Sequence, residues 1–262
     1  MTRVSGTTII KAPCCGALLS TPAYSSINFM AWECWTDGHD DGSLAPQDGG
    51  LRRCLCGRYF LIGDAMRVRT IFNQKPAPPK GWEGWKDNWW SRFLGRPGRQ
   101  EILERYDIRP IEVIEAEQRS IPPGSEYVTC AELRSLIDSN VADARIMEIA
   151  RRRYWRFLNE PFREVYRNFR ETHKEVGADG NSITFPDFSP SSEQTQNMAA
   201  LVKLLTVPGR PVSLELAELY RELGDMEAAE QALNGISGEK EKLHLAIEKL
   251  VALKVRCSVR LT

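Results

Sequence analysis

Two cysteine-and-glycine corners, Cys14-Cys15-Gly16 and Cys54-Leu55-Cys56-Gly57, constrain the first part of the chain more than any other feature. Zinc takes four thiolate or imidazole ligands in a tetrahedron, and a glycine directly after a ligating cysteine permits the tight turn whose amides point at sulfur. Both corners keep that closing Cys-Gly pair. Each departs from Cys-x-x-Cys one step earlier, with Ala12 and Arg53 where the first cysteine would stand and Cys14 and Cys54 displaced inward. Cys34 and His39 lie between the corners and offer further ligands. The ligand set is therefore drawn from Cys14, Cys15, Cys34, Cys54 and Cys56, with His39 as an imidazole alternative. Four protein ligands leave no open position for water, so the zinc expected here is structural.

The redox setting follows from the same residues. Seven cysteines are an odd number, unevenly spaced, and the segment Met1–Thr8 has no apolar leader. A reducing, cytoplasmic location is expected, where clustered cysteines bind metal more often than they pair as disulfides. No apolar run reaches the roughly 20 residues that a bilayer span needs. At 262 residues the chain has room for two domains. Its formal net charge of zero argues against a chain-wide basic footprint for duplex DNA or an anionic membrane, while leaving room for a local patch.

Hydrophobic periodicity predicts an α+β chain: a small N-terminal zinc-ribbon-like β module over residues 1–74, a Pro/Trp-rich linker and docking segment over 75–128, and a helical domain over 129–262. Thr7–Lys11, the aromatic stretch Ser25–Trp35 and Leu51–Ile62 read as strands of a meander, and Thr36–Gly50, dense in Asp, Gly and Pro, as a long turn. Trp82, Trp85, Trp89, Trp90 and Phe93 share one face of a short helix, which packs in a core, docks a partner or lies in a membrane interface, core packing being the expectation. Thr129-Cys130-Ala131-Glu132 has the form of a capping box opening a helix with Leu133, Leu136 and Ile137 inward. A helix from Val141 carries Met147, Ala150, Tyr154 and Leu158 until Pro161 interrupts it. Asn159 then caps a continuation through Phe162, Val165, Tyr166 and Phe169. Ser189-Pro190 starts the next helix, with Met198, Leu201, Leu204 and Leu205 as its stripe. Residues 213–236 follow the helix–turn–helix spacing of a tetratricopeptide unit, with Ala217 and Ala229 allowing close approach and Gly224 making the turn. A third helix is expected over Glu239–Leu253.

Other motifs carry less. Asp37-Gly38-His39-Asp40-Asp41-Gly42 faintly echoes a calcium loop, but His39 and Pro46 fit it poorly and a solvated turn is the expectation. Arg151-Arg152-Arg153-Tyr154-Trp155-Arg156 mixes cations and aromatics as a nucleic-acid contact would, while Glu148, Glu160 and Glu164 favour a salt-bridged helix surface. None of His39, His173 and His244 sits in a catalytic motif, and no enzyme activity is expected. Cys130 and Cys257 read as ordinary buried thiols.

Four pieces together, Pro13-Cys14-Cys15-Gly16, Trp35-Thr36-Asp37-Gly38, Cys54-Leu55-Cys56-Gly57 and Ala217-Glu218-Leu219-Tyr220-Arg221-Glu222-Leu223-Gly224, give a resemblance at both ends of the chain. The chain resembles a family of uncharacterised bacterial proteins with a zinc-ribbon-like start and a tetratricopeptide-like helical tail. That resemblance implies the two-part fold and conveys no activity. The function expected is that of a non-enzymatic cytosolic protein-interaction or adaptor protein with a structural zinc site. The alternative is a nucleic-acid-associated zinc-ribbon protein. A protein partner is expected, and no small-molecule substrate is identified.

Overall fold

The computed structural model describes residues 3–26, 31, 33–41, 50–72, 116, 120–122, 128–139, 143–172, 188–236 and 241–261. Among the described residues small antiparallel strands come first and six helices follow, an α+β chain as expected. It divides into two compact units. The first comprises Met1–Asn28 with Arg52–Tyr127, the second Phe29–Leu51 with Val128–Thr262. Against the segments 1–74, 75–128 and 129–262 read from the sequence, this division groups residues 29–51 with the helices and 75–127 with the first unit. The Trp-rich run over 82–93 lies outside the described residues.

In the first unit, β1 (Arg3–Lys11) is the central strand of three, flanked by β2 (Leu18–Ser26) and β7 (Met66–Phe72), all antiparallel. Ile10 and Leu19 pair across β1 and β2 and bury one face with Ala12, Cys54 and Phe60. Ile9 and Ile71 bury the other with Ile121. The expected strand Leu51–Ile62 is two strands, β5 (Leu51–Arg53) and β6 (Tyr59–Leu61), hinged by the second cysteine corner. A short 3-10 turn, Ile62–Asp64, then leads into β7.

In the second unit, β3 (Glu33–Trp35) pairs with β4 (Asp40–Asp41) and with β8 (Arg260–Leu261) near the end of the chain. The expected strand Ser25–Trp35 is thus split: its start ends β2, and its end becomes β3 of another sheet. The helices are α1 (Cys130–Asp138), α2 (Ala144–Thr172), α3 (Ser192–Leu205), α4 (Leu214–Leu223), α5 (Met226–Asn234) and α6 (Lys242–Ala252).

The helix ends obey local chemistry. Thr129 forms the expected capping box: its hydroxyl accepts from the Glu132 amide and Glu132 accepts from the Thr129 amide. Asp143 caps α2 through the amides of Arg145 and Ile146. Pro190 is not the first residue of α3. Ser191 caps that helix, in a second capping box with Gln194. Gly224, at φ +88°, closes α4, and Asp225 immediately caps α5 by accepting from Ala228. Ala217 and Ala229 are both fully buried where α4 meets α5, as a close helical hairpin requires.

Pro161 does not break α2. It sits on an exposed face, and in the turn before it the Arg156 carbonyl receives Arg163 Nη2 at 2.6 Å. Proline removes an amide and crowds the carbonyl four residues before it, that of Phe157, and the Arg163 bond to the neighbouring Arg156 carbonyl ties the same turn from the side. Asn159 is not a cap; its amide is directed into the core. Val165, expected on the apolar stripe, is exposed. Among the described residues, Trp35, Tyr166, Phe188, Leu250, Val255, Cys257 and Val259 form one core cluster, and Trp155 with the apolar residues of α3 and α4 forms another.

Candidate metal centre

Each corner is a tight turn closed by backbone bonds. In the first, the Gly16 amide donates to the Ala12 carbonyl at 2.8 Å and the Ala12 amide to Ala17 at 2.9 Å. In the second, the Gly57 amide donates to Cys54 at 2.8 Å and the Cys54 amide to Arg58 at 2.7 Å. Gly16 and Gly57 both lie at positive φ, +75° and +85°, where a side chain would be strained. The two turns are therefore the same device at two lengths, the first one residue longer. Ala12 and Cys54 hold equivalent base positions, and both are buried in the core with Ile10, Leu19 and Phe60. This accounts for the displaced cysteines. In the first corner the base residue fills the core with a methyl group, and the ligand role passes up the longer turn to Cys14.

The four sulfurs of Cys14, Cys15, Cys54 and Cys56 all lie within 4.8 Å of one another. Cys14 and Cys56 are 3.6 Å apart, Cys15 and Cys54 3.4 Å, and the adjacent pair Cys14 and Cys15 4.0 Å. Metal–sulfur bonds of about 2.3 Å in a tetrahedron place sulfurs about 3.8 Å apart. The cluster thus has the spacing of a four-thiolate metal site, and neighbouring residues in the chain share it without leaving the turn. As free thiols they are unequal. Burial, followed by hydrogen bonds from the other three sulfurs, pushes Cys14 up to about 12, and burial likewise raises Cys54. The Arg58 backbone amide holds Cys56 down to about 7.

Cys34 and His39 are not brought into this group. Cys34 lies in β3 of the second unit, its thiol raised by burial and then by a hydrogen bond to Asp40. His39 Nε2 lies 3.1 Å from Asp41 Oδ1. Cys257 is buried as expected. Cys130, expected to be buried, is exposed because it is the first residue of α1, where the apolar stripe has not yet begun.

A second polar centre, which sequence reasoning missed, is built around Asp37. The start of the expected solvated turn is buried: Asp37 is 3% exposed, bound by Arg163 Nη1 and, at 3.1 Å, by Asn159 Nδ2, while Gly38 beside it is exposed. Asn159 also donates to Glu222, whose Oε2 accepts from Trp155 Nε1 at 2.7 Å. Glu218 and Arg221, one turn apart on α4, form a wholly buried pair, and Arg221 also donates to the Val255 carbonyl. Burial, then the neighbouring Glu218 carboxylate, raises Glu222 to about 8. Gly38 is required here twice over, by φ +73° and because a Cβ would stand 2.8 Å from Arg156 Nη2. The only sequence signal was the Asp-Gly pair beside Trp35. Charges on helices read as solvent-facing, and nothing local says that Glu218, Arg221, Glu222 and Arg163 face inward.

The basic run on α2 is spent inside the same unit. Arg152 pairs with Glu215 and Glu148, Arg153 donates to the Val128 carbonyl, and Arg156 to the Asp37 carbonyl. Arg151 reaches Asn197 beside an open polar groove of about 500 Å³ between α1, α2 and α3, where Arg134 is met by Glu193. Among the described residues no helix is long and apolar enough to cross a membrane. Compared with protein-family models, with curated proteins and with solved structures, the chain matches none.

Proposed function

We propose that the protein is a non-enzymatic, cytosolic interaction protein, an adaptor, whose N-terminal unit is stapled by a structural zinc ion. The observation that carries the metal is the spacing of the four sulfurs of Cys14, Cys15, Cys54 and Cys56. An all-sulfur set selects zinc over magnesium or calcium, and four thiolates close the shell, so the ion holds two turns together and activates no water. The adaptor role is supported by the α4–α5 hairpin, tetratricopeptide-like in its small buried alanines and its glycine turn. It is also supported by the buried Asp37–Arg163 centre, which is fully enclosed and suited to rigidity. A nucleic-acid role for Arg151–Arg156 loses support, since Arg152, Arg153 and Arg156 already bond within the unit.

Metal analysis of the purified full chain tests the staple: one zinc per chain is expected, and none in Cys54→Ser. Stoichiometric zinc absent from the wild type would sink the metal reading. A pull-down from cell extract tests the adaptor. Its captured protein should remain after nuclease and high salt, and release by nuclease would overturn that half of the proposal.

A further inference from the structure

Zero net charge conceals a division. The residues of the first unit, 1–28 and 52–127, contain sixteen Lys and Arg against ten Asp and Glu, a net of +6. The remaining residues contain nineteen against twenty-five, a net of −6. Within the described part of the first unit Asp64 is the only acidic residue, against seven basic ones, Arg3, Lys11, Arg52, Arg53, Arg58, Arg67 and Arg69. Lys11, Arg53, Arg58, Arg67 and Arg69 are exposed, and Arg52 is buried. A tetrathiolate zinc carries a net charge of −2, from four thiolates and one dication, so it offsets only a third of the excess.

Three of the five exposed cations stand at the two corners, and two lie along the neighbouring strand. Lys11 ends β1 and lays its Cε over Gly16 of the first corner. Arg53 precedes Cys54, and Arg58 follows Gly57 and gives its amide to Cys56. Lys11 pairs with Met66, which puts the start of β7 beside the first corner, and Arg67 and Arg69 follow along that outer strand. Leu55, between the two ligands of the second corner, is 66% exposed at the tip.

We infer that the metal-bearing end of the first unit binds the phosphodiester backbone of a nucleic acid, without reading its sequence. This goes beyond the adaptor reading and does not need the ion to be zinc. Arginine forks match paired phosphate oxygens, and four of the five cations are arginine. A protein-docking face would be depleted of charge and enriched in aromatics at its centre. Among the described residues of this unit the exposed large apolar side chains are Leu18, Leu55, Met66 and Val68, none of them aromatic. Among the described residues at the second corner the aromatic rings are Tyr59, half-buried, and Phe60, buried, so phosphate and not base is the target.

The test is anisotropy of the metal-replete full chain against labelled oligonucleotides of about 20 residues, single-stranded and duplex, each in two unrelated sequences. Binding is expected at low salt, equal for both sequences, with log K falling as log salt rises by about 0.7 per phosphate contact on a single strand and about 0.9 on a duplex. Arg58→Glu and Arg67→Ala should each weaken binding several-fold and flatten that slope by about one contact. Lys203→Glu, exposed on α3 of the second unit, should leave it unchanged. Circular dichroism and metal content of each variant separate loss of the surface from loss of the fold or of the staple. Absence of oligonucleotide binding near 50 mM salt would overturn the inference, as would an equal effect of Lys203→Glu. So would binding confined to polyglutamate or to phosphatidylserine vesicles, which would assign the face to an acidic protein or a membrane surface.

Discussion

Replacing Arg163 by methionine should cost the helical unit about 3–5 kcal/mol, because it leaves Asp37 buried without its cation. The Arg163 and Asp37 side chains are 1% and 0% exposed, so water does not screen or replace the pair. At an effective dielectric of about 20 and a separation of about 4 Å, a charge pair contributes about 4 kcal/mol, in line with that range. For a unit of this size each kcal/mol moves the melting temperature by about 2–4 °C, so a drop of about 6–20 °C is expected. The assay is thermal and urea unfolding followed by circular dichroism at a helix-sensitive wavelength. A double-mutant cycle with Asp37→Asn completes it. The double variant should recover much of the loss, since two neutral groups of similar size cost less than one stranded charge. If Arg163→Met costs under 1 kcal/mol, or if the double variant is as unstable as the sum of the singles, the buried pair does not hold the loop and the reasoning fails.

Three other outcomes follow from the same structure. Cys54→Ser should abolish stoichiometric metal while Cys34→Ser retains it, read by elemental analysis; equal loss would place Cys34 in the ligand shell. Glu222, raised to about 8 by burial and by Glu218, binds its proton more tightly folded than unfolded. The stability it contributes is full below the unfolded value near 4.5 and is lost as pH rises through about 8. Glu222→Gln should flatten the decline in unfolding free energy between pH 5 and 8, and an unchanged slope would remove Glu222 as its source. Gly224→Ala should destabilise by about 1–2 kcal/mol, because φ is +88° and the new Cβ would stand 3.1 Å from Arg256 Nε. A neutral result in denaturant titration would show that the turn relaxes.

What the sequence discloses and what it hides divide along chain separation. Both the Thr129 capping box and the Gly224-Asp225 turn are legible because every atom they use lies within four residues. The two cysteine corners are legible for the same reason, although it takes the structure to show that Ala12 is the counterpart of Cys54 and not a missing ligand. Pro161 misleads because it falls on an exposed face of a long helix whose other side is packed and held by bonds distant in sequence. Pro190 misleads because Ser191 is the better cap. Residues 29–51 join the helical unit through bonds spanning more than 100 positions, from Asn159 and Arg163 to Asp37. No periodicity in a window of ten or twenty residues contains that information.

The pairing of β3 with β8 sets a clock on biosynthesis. The Thr36 amide donates to the Val259 carbonyl at 3.0 Å, and the Val259 amide returns a bond to the Thr36 hydroxyl at 3.1 Å across 223 positions. At about 5–20 residues per second, the ribosome delivers residue 259 about 10–45 s after residue 36. Throughout that interval Trp35, later 1% exposed against Tyr166, Val255 and Val259, has no finished pocket. Until residue 259 has been made, a nascent chain of this protein therefore carries β3 with one edge unpaired and Trp35 without its last neighbours, and a chain stopped before that residue would keep both defects.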